Sequence, residues 1–377
     1  MIQPGATLGL LGGGQLGRMF TQAAQRMGFE VLVLDPDPAS PAGRIATRHL
    51  RAAYSDTDAL RELGRLAQAV TTEFENVPAD SLVFLRDFGP VRPGAEAVKL
   101  TQDRIVEKSF ARNQGLETAP FTPVLGENES EAAFHAIGAP ALLKTARLGY
   151  DGKGQAPVAS PTELRNAFRG FGGQPCILEC RLDLRLEISV VLTRDAAGRA
   201  VTFPVAENSH RNGILDTTMV PARVPESLAR RAREAAAALA SAMDYVGTMA
   251  VEFFVVGHDQ LLVNEIAPRP HNSGHFTLDA CATDQFEQQV RALTDLPLGD
   301  ASLLSPAAMV NLLGDLWLGG EPRWDRALAD PRVHLHLYGK TEPRPGRKMG
   351  HLNVLAPTPE AALDAALAAR AALVSSS

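Results

Sequence analysis

Two glutamates flanking a short turn carry the clearest chemistry in this 377-residue chain. The segments MAVEFFVV and LLVNEI, separated by residues 257–260, read as an antiparallel hairpin. If Val256 pairs with Leu261 across that turn, Glu252 stands opposite Glu265, with Cβ atoms about 4.5–5.5 Å apart. Two ionised carboxylates so placed repel unless a cation lies between them. Hard oxygen ligands, too few for a closed cage, suit Mg²⁺ carrying nucleotide phosphates. A solvated acidic pair is the competing reading, and the apolar flanks of both strands count against it. Directly after Glu265 runs APRPHNSGH, where Arg269, His271, Asn272 and Ser273 offer donors for an oxyanion beside the metal.

Two glycine clusters could cradle phosphate. Gly149, Gly152 and Gly154 surround Tyr150, Asp151 and Lys153, just after a predicted strand ending in Lys144. Backbone N–H groups and a lysine in such a loop can neutralise a triphosphate. The G-x-x-x-x-G-K-[ST] spacing is missing, and a surface hairpin is the alternative. The other cluster, Gly12, Gly14 and Gly17, matches G-x-G-x-x-G, with Asp35 at the end of the next strand. Alone it supports either a dinucleotide-dependent oxidoreductase or a tight turn and nothing more. Lys340, Arg344, Arg347 and Lys348 form a basic stretch that fits one phosphate or carboxylate, or a solvated charge run. The polar run 207–212 reads equally well as part of a site or as a surface loop.

These residues need elements to position them. The pattern predicts a strand over 7–11, a helix over 15–27 and a strand over 31–34, the start of an open, mostly parallel α/β lobe. Further on it predicts a helix near 102–114, strands over 141–144, 176–180 and 187–193, a long alanine-rich helix over 226–243, and the hairpin. A strand over 333–338, a basic loop and a helix over 359–374 close the chain. Three packed units, 1–102, 103–298 and 299–377, are expected.

Composition narrows the class. The 43 acidic residues outnumber 37 basic ones, giving a net charge of −6, which argues against a general nucleic-acid binder. No apolar run approaches the roughly 18 residues that span a bilayer. The opening MIQPGATLGLLGG has neither a basic start nor a cleavage-site pattern, so a cytoplasmic protein without membrane partners is expected. Cys176, Cys180 and Cys281 make no even disulfide framework, and no matching Cys/His pair completes a zinc site.

Together the strings LGGGQLGRM, EFENV, QDR, KT…GYDGKGQ, VEFF, NEIAPRPHNSGH and YGK…PGRKMGHLN resemble the ATP-grasp superfamily. More closely, over residues 7–355, the chain is similar to the N5-carboxyaminoimidazole ribonucleotide synthase family, the ATPase-subunit family of phosphoribosylaminoimidazole carboxylase. The resemblance implies a mixed α/β and α+β fold of ATP-grasp architecture: a Rossmann-like lobe, a central ATP-grasp module and a small C-terminal lobe. It implies ATP- and bicarbonate-dependent carboxylation of the exocyclic amine of 5-aminoimidazole ribonucleotide through carboxyphosphate, with Mg²⁺ or Mn²⁺, in a homodimer. By that resemblance Arg104, Lys144, Gly149 to Gln155, Glu179, Cys180, Arg181, Leu182, Glu187, His210, Asn264 and Glu265 contact the nucleotide, and Glu252 and Glu265 the metal. Arg269, His271, Asn272 and Ser273 fall where bicarbonate is held. Gln15, Glu73, Tyr150, Asp151, Lys153, Lys340 and Arg347 surround the ribonucleotide. Lys144, Asp151, Lys153, Arg269, His271 and Asn272 are the catalytic candidates, and either Asp151 or a phosphate oxygen takes the amine proton. Two departures stand out: Cys180-Arg181 replaces the usual charged or amide residue and aromatic at the hinge, and TARLGYDG replaces TRxGGYDG. Formate-using glycinamide ribonucleotide transformylases and biotin carboxylases are the nearest rivals, and a non-catalytic nucleotide-binding regulator is a third class.

Overall fold

The computed structural model describes residues 1–149 and 152–374. The strands Thr7–Leu11, Glu30–Leu34, Arg48–Leu50 and Ala69–Thr72 form a parallel sheet in the order third, second, first, fourth. Leu8, Leu10, Leu11, Val31, Val33 and Leu34 are fully buried, as expected of strands with both faces covered. The helix Gln15–Arg26 starts at Gly14 and stops before Gly28, whose φ of +83° ends it.

A second, four-stranded antiparallel sheet orders Phe121–Val124, Cys176–Cys180, Ala141–Thr145 and Gln155–Val158. The helices Ser130–Ile137 and Pro161–Gly170 back it, the latter capped by the Ser160 side chain and opened by Pro161.

The largest sheet runs Gln260–Ala267, Gly247–Val256, Leu184–Arg194, Ala206–Arg211, Ile214–Val220, Ala307–Leu313, Lys348–Leu355 and Val333–Leu337, with Ala200–Thr202 beside Leu184–Arg194. Its two faces have different jobs. Ile188, Val190, Val251 and Phe253 pack against the alanine-rich helix Glu226–Ala242, whose small side chains allow close approach. Directly paired residues share a face. Glu252 is paired with both Glu265 and Ser189, Glu187 with Asn208, and Asn208 with Thr218. This second face is therefore polar across five strands.

Three expectations change. The hairpin turn is one residue shorter than expected, because Val256 pairs with Gln260 rather than Leu261. A bulge then restores the register, with Asn264 the extra residue, so Glu252 still faces Glu265. The polar run 207–212 is largely strand, Ala206–Arg211, and the end of the expected basic loop belongs to Lys348–Leu355.

Candidate active site

The hairpin sets the site. Glu252 and Glu265 face each other from neighbouring strands, only partly exposed. Burial pushes Glu252 up to about 7, with Glu265 adding repulsion and His210 opposing it. Burial would raise Glu265 as well, but the Arg104 guanidinium, 3.0 Å from its carboxylate, together with Arg269 and Lys144 holds it below the ordinary range. The Arg104 side chain also donates to the Gly149 carbonyl at 3.1 Å, tying the glycine loop to the hairpin.

Beside the hairpin lies a buried ionic cluster. Lys144 Nζ donates to Glu179 at 2.8 Å, and Lys108, 1% exposed, approaches the other Glu179 oxygen at 3.5 Å. Burial works against ionised Glu179, yet Lys108 and Lys144 hold it at about 2. Lys108 also donates to the Asn264 carbonyl at 2.9 Å, gripping the bulge. Sequence reasoning did not include Lys108. Its signal was available: it lies four residues after Arg104 and shares that residue's helix face.

The loop after Glu265 folds over the polar face. Arg269 Nε donates to Glu75 at 2.6 Å, and His271 Nε2 lies 3.7 Å from Glu252. Burial and the neighbouring Arg269 charge hold His271 well below its ordinary value, hence neutral. Both polar side-chain atoms of buried Asn272 lack a partner among the described residues, as a group awaiting a ligand would. His210 Nδ1 sits 2.9 Å from Glu187.

A cleft of about 1050 Å³ collects these groups. Its lining takes Arg104, Lys144, Glu187, His210, Glu252, Asn264 and Glu265 from the expected nucleotide and metal set, with Gly152, Lys153, Gly154 and Gln155 of the glycine loop. From the expected substrate set it takes Gln15, Glu73, Arg269, His271, Asn272, Lys340 and Arg347, and Arg344 and Lys348 join them. Lys340 Nζ donates to Gln15 at 2.8 Å, linking the C-terminal and N-terminal lobes across the cleft.

Other expected residues lie elsewhere. Gly149 lines a small adjoining pocket. Ser273 is fully buried, and its hydroxyl lies 2.9 Å from His271 Nδ1, so its expected direct contact with substrate gives way to support of a neighbour. Glu179 is 2% exposed, and its carboxylate serves the two lysines rather than the cleft surface. Cys180, Arg181 and Leu182 leave the cleft lining among the described residues. The N–H groups of Cys180 and Arg181 are used by the carbonyls of Pro120 and Pro140, both at 2.9 Å. Arg147, in the altered TARLGYDG string, donates to Gln102 at 3.0 Å. Tyr150 and Asp151 lie outside the described residues.

The first glycine cluster is not an open dinucleotide site. Glu73 accepts the N–H groups of Gly14 and Gly17, filling the helix N-terminus where a pyrophosphate would sit. Asp35 is occupied too, accepting from Gly13 N–H and the Tyr54 hydroxyl, both at 2.6 Å.

Comparison with known proteins agrees with this architecture. The profile for a ribonucleotide synthetase preATP-grasp domain matches residues 5–102, that for an ATP-grasp domain 109–286, and that for the phosphoribosylaminoimidazole carboxylase C-terminal domain 307–365. The chain is 45% identical to the N5-carboxyaminoimidazole ribonucleotide synthase of Brucella melitensis biotype 1 over 94% of its own length and 98% of the relative's. It is 43% identical to that of Bacillus subtilis strain 168, covering 94% and 93%. The ADP complex of an N5-carboxyaminoimidazole ribonucleotide synthetase superposes with a TM-score of 0.92 at 40% identity, covering 98% of this chain and 97% of the other. The Aspergillus clavatus synthase, in complex with ADP and 5-aminoimidazole ribonucleotide, gives 0.90 at 29% identity, covering 98% of each. With this architecture, identity and coverage, the chain belongs to the N5-carboxyaminoimidazole ribonucleotide synthase family of ATP-grasp enzymes and is an ATP-dependent ligase.

Proposed function

We propose that the cleft uses ATP to activate bicarbonate and transfers the carboxyl group to the exocyclic amine of 5-aminoimidazole ribonucleotide, a step of purine biosynthesis. The observation that carries this is the Glu252–Glu265 pair facing a cleft whose other wall is basic and whose Asn272 amide has no partner among the described residues. The paired oxygens fit a hard divalent cation, which Glu252 and Glu265 would hold beside the nucleotide phosphates. When bound, Mg²⁺ supplies charge neutralisation on those phosphates.

The residues divide the work. Lys144, Arg104 and the loop 149–155 take the nucleotide, with Glu187 and His210 at its sugar. Arg269, His271 and Asn272 orient bicarbonate for attack on the γ-phosphorus. The new O–P bond replaces the bond to ADP, and carboxyphosphate results. The ribonucleotide amine then attacks the carboxyl carbon, the C–O bond to phosphate breaks, and one amine proton leaves on a phosphate oxygen. Gln15, Glu73, Lys153, Lys340 and Arg347 hold the ribonucleotide. The glycine loop keeps water from the intermediate. Units 1–102, 103–298 and 299–377 each supply one wall, and the family likeness supports a cytoplasmic homodimer.

The test is phosphate release from ATP with bicarbonate, with and without 5-aminoimidazole ribonucleotide. Mg²⁺-dependent release that rises strongly with the ribonucleotide is expected. Release driven instead by glycinamide ribonucleotide or biotin would overturn the substrate assignment.

A further inference from the structure

Behind His271 runs a chain of hydrogen bonds between buried side chains, from three strands of the largest sheet to the loop over the cleft. Thr218 donates to Asn208 Oδ1 at 2.9 Å, Asn208 Nδ2 donates to Ser189 at 2.9 Å, and Ser189 donates to Ser273 at 2.8 Å. Ser273 Oγ then meets His271 Nδ1 at 2.9 Å. Thr218, Ser189 and Ser273 are fully buried and Asn208 is 6% exposed, so water does not compete for these bonds.

The chain has a direction, fixed at the histidine. The Ser273 backbone N–H, which can only donate, also points at His271 Nδ1, at 3.3 Å. Nδ1 is therefore an acceptor, and the Ser273 hydroxyl proton must face it. Ser273 Oγ then accepts from Ser189, Ser189 accepts from the Asn208 amide, and Asn208 Oδ1 accepts from Thr218. Every donor and acceptor along the chain agrees with this one polarity. In the neutral ring an acceptor at Nδ1 leaves the proton on Nε2, the atom 3.7 Å from Glu252 on the cleft side.

We propose that Ser273, backed by Ser189, Asn208 and Thr218, is a positioning residue that locks His271 as the Nε2–H tautomer, so that His271 can only donate a hydrogen bond toward the cleft. Its partner there is an acceptor oxygen. This rests on the reading of the cleft as the bicarbonate-activating site, where that oxygen belongs to bicarbonate or the carboxyl group made from it. None of the four supporting residues touches the reacting atoms.

The experiment is ¹⁵N NMR of histidine-labelled full-length protein, with the His271 signals assigned by their loss in H271Q. The intact chain is expected to give a pyridine-type Nδ1 and a pyrrole-type Nε2. S273A removes the hydroxyl donor at 2.9 Å and leaves Nδ1 only the longer backbone N–H contact at 3.3 Å, and T218V removes the far hydroxyl at nearly constant volume. Both are expected to mix the tautomers and to lower kcat/KM for bicarbonate, S273A by roughly tenfold, the size of one hydrogen bond, and T218V by less. KM for ATP is expected to stay put, and T218S, which restores the hydroxyl, to recover the wild-type spectrum. A pyrrole-type Nδ1 in the intact chain, or an unchanged spectrum in both S273A and T218V, would overturn the proposal. If S273A does not fold, T218V decides alone. The spectrum does not depend on turnover, so absence of bicarbonate-dependent turnover in the unaltered protein would instead count against the reading of the cleft.

Discussion

Glu73 and the Glu252–Glu265 pair line the same cleft in opposite states. Glu73 accepts two backbone N–H groups at the start of the helix Gln15–Arg26, so its charge is largely answered within the protein. Glu252 faces Glu265 across the hairpin, and among the described residues no comparable pair of backbone donors meets it. Burial raises both Glu73 and Glu252, and at Glu73 the N–H groups of Gly17 and Gly14 work against that rise without cancelling it. A satisfied carboxylate stabilises a turn, whereas an opposed pair marks a place where an external cation restores balance. A glycine motif or an acidic residue is thus informative only together with what already occupies it.

The largest effect belongs to the opposed pair. E265Q keeps shape but removes one carboxylate of the proposed cation site, and turnover should fall by ~10³-fold or more, about 4 kcal/mol of transition-state stabilisation, with the fold intact by circular dichroism. Near-normal turnover would dissolve the contrast with Glu73.

A fourth carboxylate sharpens it. E179Q leaves buried Lys108 without its counter-charge, and a stability loss of about 3 kcal/mol is expected in urea denaturation. The sign with pH is fixed. Glu179 sits at about 2 in the folded chain against an ordinary 4.5, so its contribution is complete above pH 4.5 and is lost as pH falls through 2. The wild-type chain should lose that contribution over this window, and E179Q should lack that part of the acid slope.

Smaller effects test the satisfied side. A Cβ on Gly14 would collide with the Glu73 carboxylate, and one on Gly17 would come within 2.8 Å of the Gly12 carbonyl. G14A should therefore cost about 2 kcal/mol by forcing Glu73 off its donors. E73Q keeps the volume but loses the charge at the helix N-terminus, and about 1 kcal/mol is expected, read as a lower Tm. An E73Q chain as stable as wild type would show that Glu73 is not held by those amides.

Much of this was legible in the sequence, for physical reasons. The parallel sheet announces itself in the apolar runs of residues 7–11 and 30–34, and the faces of a hairpin follow from period two. The opposition of Glu252 and Glu265 survived an error in the turn, because the bulge at Asn264 compensated a residue lost at residues 257–259. Bulges leave little trace in a single sequence. Lys108 escaped because lysine in an amphipathic helix ordinarily faces water: its spacing from Arg104 marks a shared helix face, but its burial comes from tertiary packing. Ser189, Asn208 and Thr218 escaped because three separate strands bring them together, and no local spacing encodes that. The run 207–212 was ambiguous because polar residues read as loop, whereas here they line the polar face of a sheet.

The central claim is that Glu252 and Glu265 together hold the nucleotide's divalent cation. Electron paramagnetic resonance of Mn²⁺ titrated into the full chain with ADP tests it directly. One tightly bound Mn²⁺ per chain is expected, lost in both E252Q and E265Q and retained in E73Q. Equal binding in E252Q, E265Q and the unaltered chain would contradict the account.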